Sequence, residues 1–357
     1  MDLIIGAGIT GLAYAAFTKN DYLIIEKNAQ IGGYCKTISQ DGFIWDYSGH
    51  FFHFQNEKIK EFVMRHMDQD SVLSVEKRTQ IRFKNCMIDY PFQKNIHQLD
   101  KRNFINCLYD LFVNEYKDYS SFKSMLYAKF GKSIAEIFLI PYNEKLYACD
   151  LDSLDENAMG RFFPYANKED VIANFKLKLH SNDTYNASFL YPKLGAIEYI
   201  KSVYSILEPS KISVNEQLIS IDAKEKIATT TRRKIKYDNL ISTMPLPQLL
   251  SIVGFDFDKT LYSSNKVLVF NLGFDKKGVE RVNNWIYYPE KQYIFYRIGF
   301  YDNIFKSDRL SVYVEIGFKE NEVIDENLCL QRVLSDMKKA KIITDHKLIS
   351  QNTIIMD

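Results

Sequence analysis

The sequence has few cysteines, no long apolar run and no excess of one charge. Its five cysteines are odd in number, scattered and never spaced as CxxC, which argues against a disulfide framework and against a metal site. No stretch approaches the roughly 18 apolar residues that a membrane-spanning helix needs. The strand-like run from Leu3 to Ile5 follows Met1 too closely to leave room for a secretion signal. We therefore expect a cytoplasmic protein without a transmembrane segment.

Basic and acidic side chains are almost equal in number, at 46 and 45, for a formal charge of +1. This balance does not indicate nucleic acid as a partner, so any anion-binding site must be local. A length of 357 residues with 46% hydrophobic residues is typical of a globular protein that is too long for one ordinary core.

The order of patterns along the chain predicts one domain interrupted by another. Residues 1–54 read as strand, glycine turn, helix and strand, which is a βαβ opening. Helical spacing of aromatic and aliphatic residues follows, as in Lys101–Tyr119 and Ser120–Ile140. Strands are then predicted at 211–214, 218–221, 239–242, 267–272, 293–298 and 310–316. An insertion explains this order better than two domains in tandem.

A glycine fingerprint follows the first predicted strand. Gly6-Ala7-Gly8-Ile9-Thr10-Gly11 fits GxGxxG, in which the glycines allow a tight turn, a close approach of backbone to a pyrophosphate and close helix packing. Ile9 and Thr10 begin a helix whose N–H groups would point at the phosphates. Glu26 ends the second strand, where its carboxylate can accept hydrogen bonds from a ribose. This context favours a dinucleotide site over a chance glycine turn.

A second glycine pair follows within Glu26-Lys27-Asn28-Ala29-Gln30-Ile31-Gly32-Gly33-Tyr34-Cys35-Lys36-Thr37. The stretch resembles the second FAD signature of glutathione-reductase-type flavoproteins, which include amine oxidases, protoporphyrinogen oxidases and UDP-galactopyranose mutases. Gly32 and Gly33 would let the backbone pass close to the cofactor. The resemblance implies FAD, with Lys27 and Thr37 among its contacts; the alternative is a plain glycine turn between strands.

We therefore expect an α/β fold with α+β insertions, in which a Rossmann-type FAD-binding domain with a parallel sheet is interrupted by a mainly helical substrate domain. The predicted segments are 1–55 and 186–265 for the FAD-binding domain, 56–185 for the helical substrate domain, and 266–357 for an antiparallel sheet of the substrate domain and the start of a C-terminal FAD segment.

The segment from Asp46 to His53 resembles the GxHxFH segment near the flavin in UDP-galactopyranose mutases, with Ser48-Gly49 at its glycine and variable positions. Two histidines at this spacing after Gly49 favour a site over a structural role. The resemblance places Gly49 and His50 beside the flavin or substrate, and whether His50 transfers a proton stays open.

Other stretches match the mutase-like branch, among them Pro141–Tyr147 (PYNEKLY) and Trp285–Arg297. In the resembled mutases two arginines hold the diphosphate of a sugar nucleotide, and Arg297 and Arg161 match them in kind. Guanidinium groups suit this task because they bind phosphate oxygens bidentately. The alternative for each arginine is an ordinary ion pair. Aromatic candidates for the substrate pocket are Tyr147, Phe162, Tyr287 and Tyr296.

The segment from Val214 to Ile219 resembles the one that receives the adenine edge in this family, with Leu218 as the candidate contact and plain core as the alternative. Family members continue past the equivalent of Asp357 with a segment that covers the flavin pyrophosphate. We expect its absence to remove one wall of the FAD site.

Three functions remain open at this point. The resemblance favours a mutase-like enzyme that uses reduced FAD on a nucleotide sugar of the UDP-galactose type, in surface polysaccharide biosynthesis, with His50, Arg161 and Arg297 as catalytic candidates. The first alternative is an FAD-dependent oxidoreductase of an amine, porphyrinogen or polyene. The second is a catalytically inactive binding protein that kept the fold. A homo-oligomer is compatible with each.

Overall fold

The computed structural model describes residues 1–160, 166–177 and 187–356. Within them the helices are α1 Ile9–Phe17, α2 Glu57–Met64, α3 Lys101–Phe112, α4 Phe122–Ile134, α5 Ile140–Tyr147, α6 Lys168–Leu177, α7 Ile197–Tyr204, α8 Leu246–Val253, α9 Tyr301–Phe305 and α10 Glu326–Lys339. The strands are β1 Asp2–Ile5, β2 Tyr22–Ile25, β3 Thr37–Gln40, β4 Phe43–Asp46, β5 Val72–Glu76, β6 Thr79–Phe83, β7 Cys86–Asp89, β8 Ser188–Pro192, β9 Ile212–Ser213, β10 Leu218–Asp222, β11 Ile227–Thr230, β12 Lys234–Lys236, β13 Asn239–Ser242, β14 Asn265–Phe274, β15 Trp285–Tyr287, β16 Arg297–Phe300, β17 Ser311–Lys319 and β18 Leu348–Met356.

The chain divides into two compact units. Unit 1 comprises Met1–Ser74 and Phe189–Ser263, and unit 2 comprises Val75–Ser188 and Ser264–Asp357. No helix among the described residues combines the length and apolarity that crossing a bilayer requires.

Unit 1 contains a four-stranded parallel sheet in the order β13-β1-β2-β9. Its strands are short apolar runs because parallel strands are covered on both faces. Leu12 and Ala15 of α1 pack against Ile4 and Ile24 on one face, and Leu3 belongs to the core on the other. An antiparallel meander of β10, β11 and β12 and the hairpin of β3 with β4 complete the unit's sheets, while β5 and β8 form a separate two-stranded pair. The predicted βαβ opening is confirmed.

Unit 2 contains a seven-stranded mixed sheet in the order β18-β14-β17-β16-β15-β6-β7. Side chains alternate between its two faces. One face carries Phe270, Ile298 and Val314, which form a core with Val333 and Met337 of α10. Arg297 and Glu315 occupy alternate positions in the same strands and therefore lie on the opposite face.

Two predicted elements differ from the structure. The helix predicted over Lys101–Tyr119 ends at Phe112, because the backbone of Val113 leaves the helical conformation (φ −103°, ψ 47°). The side chain of Asn114 then donates to the carbonyls of Tyr127 and Ala128. The strand predicted over 293–298 begins only at Arg297, and the residues before it form a turn.

Candidate functional site

The glycine fingerprint forms a turn in which two positions, Gly6 and Gly11, accept only glycine. Gly6 has a φ of 101°, and a Cβ built on it would lie 2.3 Å from the hydroxyl oxygen of Thr243. A Cβ on Gly11 would lie 2.1 Å from the carbonyl oxygen of Gly6. Helix α1 therefore packs on the end of β1 through backbone atoms, and the turn is held tightly enough to present its own amides.

Helix α1 begins after Gly8, and no side chain caps its first turn. The leading amides of a helix carry partial positive charge and have no intrahelical acceptors. Thr10 is exposed and Ile9 is partly buried. This helix start is suited to a phosphate group.

The second glycine pair lies directly against the first turn. The amide of Gly32 donates to the carbonyl of Ala7 over 2.9 Å. A Cβ on Gly33, which has a φ of 57°, would lie 3.3 Å from the Cα of Gly8. Two segments separated by some 25 positions thus form one cradle of bare backbone, which matches what a dinucleotide pyrophosphate requires.

Glu26 is buried at the end of β2, 6% exposed, while Lys27 is exposed. Its carboxylate accepts from the amide of Ala7 over 2.9 Å and from the amide and side chain of Asn28 over 2.9 and 2.8 Å. An ionised carboxylate offers about four acceptor positions. One remains for a ribose hydroxyl, so the residues of unit 1 fit an adenine dinucleotide.

A buried carboxylate beside this cradle was not foreseen in the sequence. Asp46 accepts from the hydroxyls of Thr37 and Tyr191, and from the amide of Ala196 over 3.1 Å. Burial raises the pKa of Asp46 to about 6, and these hydrogen bonds oppose the rise. Gly195 is required here because a Cβ on it would lie 2.3 Å from Thr37. Thr37 therefore has a structural partner in addition to its predicted place near the cofactor.

The histidine segment packs within unit 1. Nδ1 of His50 lies 3.2 Å from the carbonyl oxygen of Ser48, which can only accept, so this hydrogen bond needs the proton on Nδ1. Phe52 is stacked on Tyr199 with ring centroids 3.7 Å apart, and its carbonyl accepts from the amide of Leu190 over 3.1 Å. Gly49 and His50 are thus held by their neighbours on both sides.

Leu218 begins β10 and belongs to the core that contains Leu3 and Ile5. Its side chain therefore packs as core, the alternative that the sequence left open. The amide of Glu216 donates to the carbonyl of Glu26 over 2.9 Å, so this segment's backbone does run beside the predicted ribose ligand.

In unit 2, Arg297 forms two parallel hydrogen bonds to Glu315, of 2.5 Å from Nε and 2.6 Å from Nη2. Glu315 is 1% exposed, whereas the Arg297 side chain is 23% exposed. Burial acts to lower the pKa of Arg297, but charge interactions with Glu315 and Tyr313 and the hydrogen bonds to Glu315 outweigh it, and the pKa stands well above its ordinary range. Arg297 is a fixed, permanent cation that keeps some access to solvent.

Tyrosines surround this ion pair. Tyr287 pairs with Arg297 across β15 and β16, and its ring lies 5.2 Å from Tyr142 and 5.3 Å from Tyr90. Tyr142 also contacts Tyr296 at 6.1 Å. Burial raises the pKa of each of these four tyrosines. Their hydroxyls therefore stay protonated near neutral pH, and the cluster offers neutral donors and ring faces around one cation.

The predicted substrate residues are only partly brought together. Arg297, Tyr287 and Tyr296 lie in one cluster. Tyr147 ends α5, packs edge-on against Phe122 at 6.0 Å and lines a separate groove of about 720 Å³ with Cys149 and Lys319. Arg161 and Phe162 lie outside the described residues.

Glu315 and Tyr142 were not singled out from the sequence. A signal for Glu315 was present, because a lone carboxylate inside the apolar run Ser311–Ile316 must find a buried partner. Tyr142 stands in the PYNEKLY stretch one helical turn before Lys145, and only the fold shows that it faces Tyr287.

Comparison with known proteins gives the following similarities. A family model described as an NAD(P)-binding Rossmann-like domain matches residues 4–65. The coproporphyrinogen III oxidase of Staphylococcus aureus (strain NCTC 8325 / PS 47) is 23% identical over an alignment of 323 residues. The match covers 79% of this chain and 69% of that protein. A crystal structure of reduced UDP-galactopyranose mutase superposes with a TM-score of 0.88 and 22% identity, covering 100% of this chain and 83% of that one. A protein from Exiguobacterium sp. 255-15, provisionally named a protoporphyrinogen oxidase, gives a TM-score of 0.76 and 16% identity, covering 99% and 85%.

At these identities the similarities establish the fold. The chain has a Rossmann-like dinucleotide-binding domain and shares its architecture with UDP-galactopyranose mutase and with the protoporphyrinogen oxidase-type structure. The predicted α/β fold class and the predicted structural resemblance are confirmed.

Proposed function

We propose that this protein is an FAD-dependent enzyme that acts on a nucleotide sugar, interconverting pyranose and furanose rings with reduced flavin, in the setting of surface polysaccharide biosynthesis. The observation that carries the proposal is the Arg297–Glu315 pair, a permanent cation set among neutral tyrosines. In an oxidase of an apolar substrate the same pair would serve the fold alone.

FAD is proposed for unit 1. Its support is the bare-backbone cradle of Gly6, Gly8 and Gly33, the uncapped start of α1 and the free acceptor position of Glu26. The second glycine pair favours FAD over a nicotinamide dinucleotide through the resemblance of its signature. When bound and reduced, FAD would supply an electron-rich nucleophile.

Arg297 is proposed to bind the diphosphate of the substrate. A guanidinium has five N–H donors; Glu315 takes two of them and the Tyr287 hydroxyl oxygen takes a third. The two that remain suit phosphate oxygens, and the bidentate pair with Glu315 fixes the plane in which they point. Holding a diphosphate also prepares it to leave, because the positive charge stabilises the negative charge that develops on it.

Tyr287 and Tyr296, together with the structurally adjacent Tyr142, are proposed to line the pocket for the sugar or base. The hydroxyls of Tyr142 and Tyr287 stay protonated and can donate to sugar oxygens, whereas the hydroxyl of Tyr296 donates to Glu315 and leaves its ring face for the ligand. Arg161 and Phe162 remain predictions of further substrate contacts, whereas Tyr147, which packs on Phe122 and lines a separate groove, is left out of the proposed pocket.

The test is anaerobic turnover of UDP-galactopyranose by dithionite-reduced protein loaded with FAD, with the furanose form separated chromatographically. Arg297→Ala should raise KM at least about tenfold while leaving bound flavin unchanged. Arg102→Ala, at an exposed position of α3, is the control and should behave as the unaltered protein. Turnover by neither the unaltered protein nor the control, with flavin fully bound, would overturn the proposed reaction.

A second candidate is oxidation of a porphyrinogen, which the 23% identity to a coproporphyrinogen III oxidase favours. It predicts that coproporphyrinogen III, in air and with FAD, yields fluorescent porphyrin and that UDP-galactopyranose is not converted. Absence of flavin from the purified protein would favour the inactive binding protein.

A further inference from the structure

Lys145 of α5 is a partly buried cation with backbone acceptors on several sides. Its Nζ donates to the carbonyl oxygens of Tyr288 over 2.6 Å and Glu290 over 3.3 Å, and also to that of Phe295. An ammonium group has three donors and no acceptor. The three protons of Lys145 therefore match three carbonyls that face inward.

These carbonyls belong to a single turn, residues 288–296, which joins β15 to β16. The amide of Tyr288 closes it on the carbonyl of Tyr296 over 2.8 Å. The rings of Tyr288, Tyr293 and Phe295 pack together, with centroids 4.9 to 5.7 Å apart. Tyr287 immediately precedes this turn and Arg297 immediately follows it, so its geometry sets theirs.

Helix α5 itself is fixed on the sheet. A Cβ on Gly317 would lie 2.2 Å from the carbonyl oxygen of Lys145, so only glycine allows the helix to approach β17 this closely. The carbonyl of Leu146 accepts from the Asn265 side chain over 2.8 Å. Tyr142, three positions before Lys145, shares its helix face and contacts Tyr287.

We propose that Lys145 is the positioning residue of the Arg297 site: its ammonium ties the turn 288–296 to α5, and thereby holds Arg297 and Tyr287 against Tyr142. The inference rests on the proposed function for its substrate, a nucleoside diphosphate, but the tie itself can be tested without it.

A second lysine, Lys291, lies in the turn 288–296 itself and provides a contrast to Lys145. Lys291 is 82% exposed and pairs with Glu144 at 3.6 Å, in a solvent-exposed contact that contributes little. Replacing either lysine by methionine removes one charge from the same region of the fold. Only Lys145→Met leaves buried carbonyls without a donor, which makes Lys291→Met a matched control.

The experiment measures UDP affinity by calorimetry, KM and kcat for UDP-galactopyranose, and hydrogen exchange of peptides that span residues 285–300. Burial lowers the pKa of Lys145 to about 7, against the opposing effect of Asp336 and Glu290. Measurements at about pH 6 therefore keep the ammonium protonated. FAD retention and circular dichroism check that each variant is folded.

We expect Lys145→Met to weaken UDP binding at least about tenfold, to raise KM more than it lowers kcat, and to accelerate exchange in residues 285–300. Lys145→Arg, which keeps a charged donor, should recover part of the affinity. Lys291→Met should match the unaltered protein. If Lys145→Met does not fold, Lys145→Arg alone decides, because a mismatched guanidinium must still loosen the turn and raise KM.

Unchanged exchange and unchanged UDP affinity in a folded Lys145 variant would overturn the inference. A different result distinguishes failure of the proposed function: the unaltered protein then binds no UDP, while Lys145→Met still accelerates exchange in the turn.

Discussion

Arg297 and Glu315 face each other across β16 and β17 and share two hydrogen bonds, although one partner is fully buried and the other is partly open. Taking a carboxylate out of water is costly unless a cation compensates it. Glu315 therefore needs Arg297, but Arg297 retains donors for a second anion. A structural ion pair and an anion-binding group are combined in one side chain.

Replacing Glu315 by glutamine tests that combination. The amide keeps one acceptor but removes the charge that fixes the guanidinium, so we expect UDP to bind at least about tenfold more weakly and the fold to lose about 1–3 kcal/mol. Glu216→Gln is the matched control, because Glu216 is also buried and bidentate with Arg233 over 3.0 and 3.1 Å, in unit 1. UDP affinity is measured by calorimetry for both variants, and Glu216→Gln should bind UDP as tightly as the unaltered protein does. Equal weakening in both variants would contradict a direct role of the Arg297 pair.

The glycine cradle makes a prediction for the cofactor. Gly33→Ala places a methyl group 3.3 Å from the Cα of Gly8, in the space through which a dinucleotide would pass. We expect FAD affinity, measured by fluorescence titration, to fall at least about tenfold.

Gly254→Ala controls for backbone strain, since Gly254 also has a positive φ, of 74°, with nothing within 4 Å of its Cβ position. It should cost about 1–2 kcal/mol of stability and leave FAD affinity unchanged. Loss of FAD affinity in both variants would mean that strain, and not the cradle, is being measured.

Two tyrosines of α5 are candidates to contact the substrate: the sequence indicated Tyr147, and the structure indicates Tyr142. Tyr142→Ala removes a ring that contacts Tyr287 and Tyr296, so UDP affinity should fall about tenfold. Tyr147→Ala removes a ring that packs on Phe122, and UDP affinity should stay within about twofold. The reverse order in a calorimetric titration would favour Tyr147, the residue that the sequence indicated.

Some features of the molecule can be predicted from local sequence patterns, and others depend on the fold. The fingerprint from Gly6 to Gly11 could be predicted from the sequence because its GxGxxG spacing lies between a strand and a helix that are both apparent from local patterns. The pairing of Arg297 with Glu315 depends on strand register, which local periodicity does not contain. Tyr142 and Tyr147 have the same residue type on one helix, and only tertiary packing separates their roles.

The hydrogen bonds of the buried Asp46 carboxylate could not be predicted from the sequence either, because its partners Thr37, Tyr191 and Ala196 come together only in the fold. Its titration can be predicted. Burial raises the pKa of Asp46 to about 6 in the folded state, against about 4 when unfolded. The folded state thus holds this proton more tightly, and its stabilising contribution, complete below about pH 4, is lost as the pH rises through about 6.

Two pKa units correspond to about 3 kcal/mol, so the unfolding free energy of the unaltered protein should fall by up to that amount between about pH 4 and pH 7 relative to Asp46→Asn. The asparagine resembles the protonated carboxyl and cannot ionise. Asp41→Asn changes an exposed residue in the turn of the same hairpin and should keep the pH dependence of the unaltered protein. Urea unfolding of the three proteins at a series of pH values provides the comparison. A parallel pH profile for Asp46→Asn would show that Asp46 stays ionised in the fold, because its hydrogen bonds to Thr37, Tyr191 and Ala196 then outweigh the cost of burying the charge.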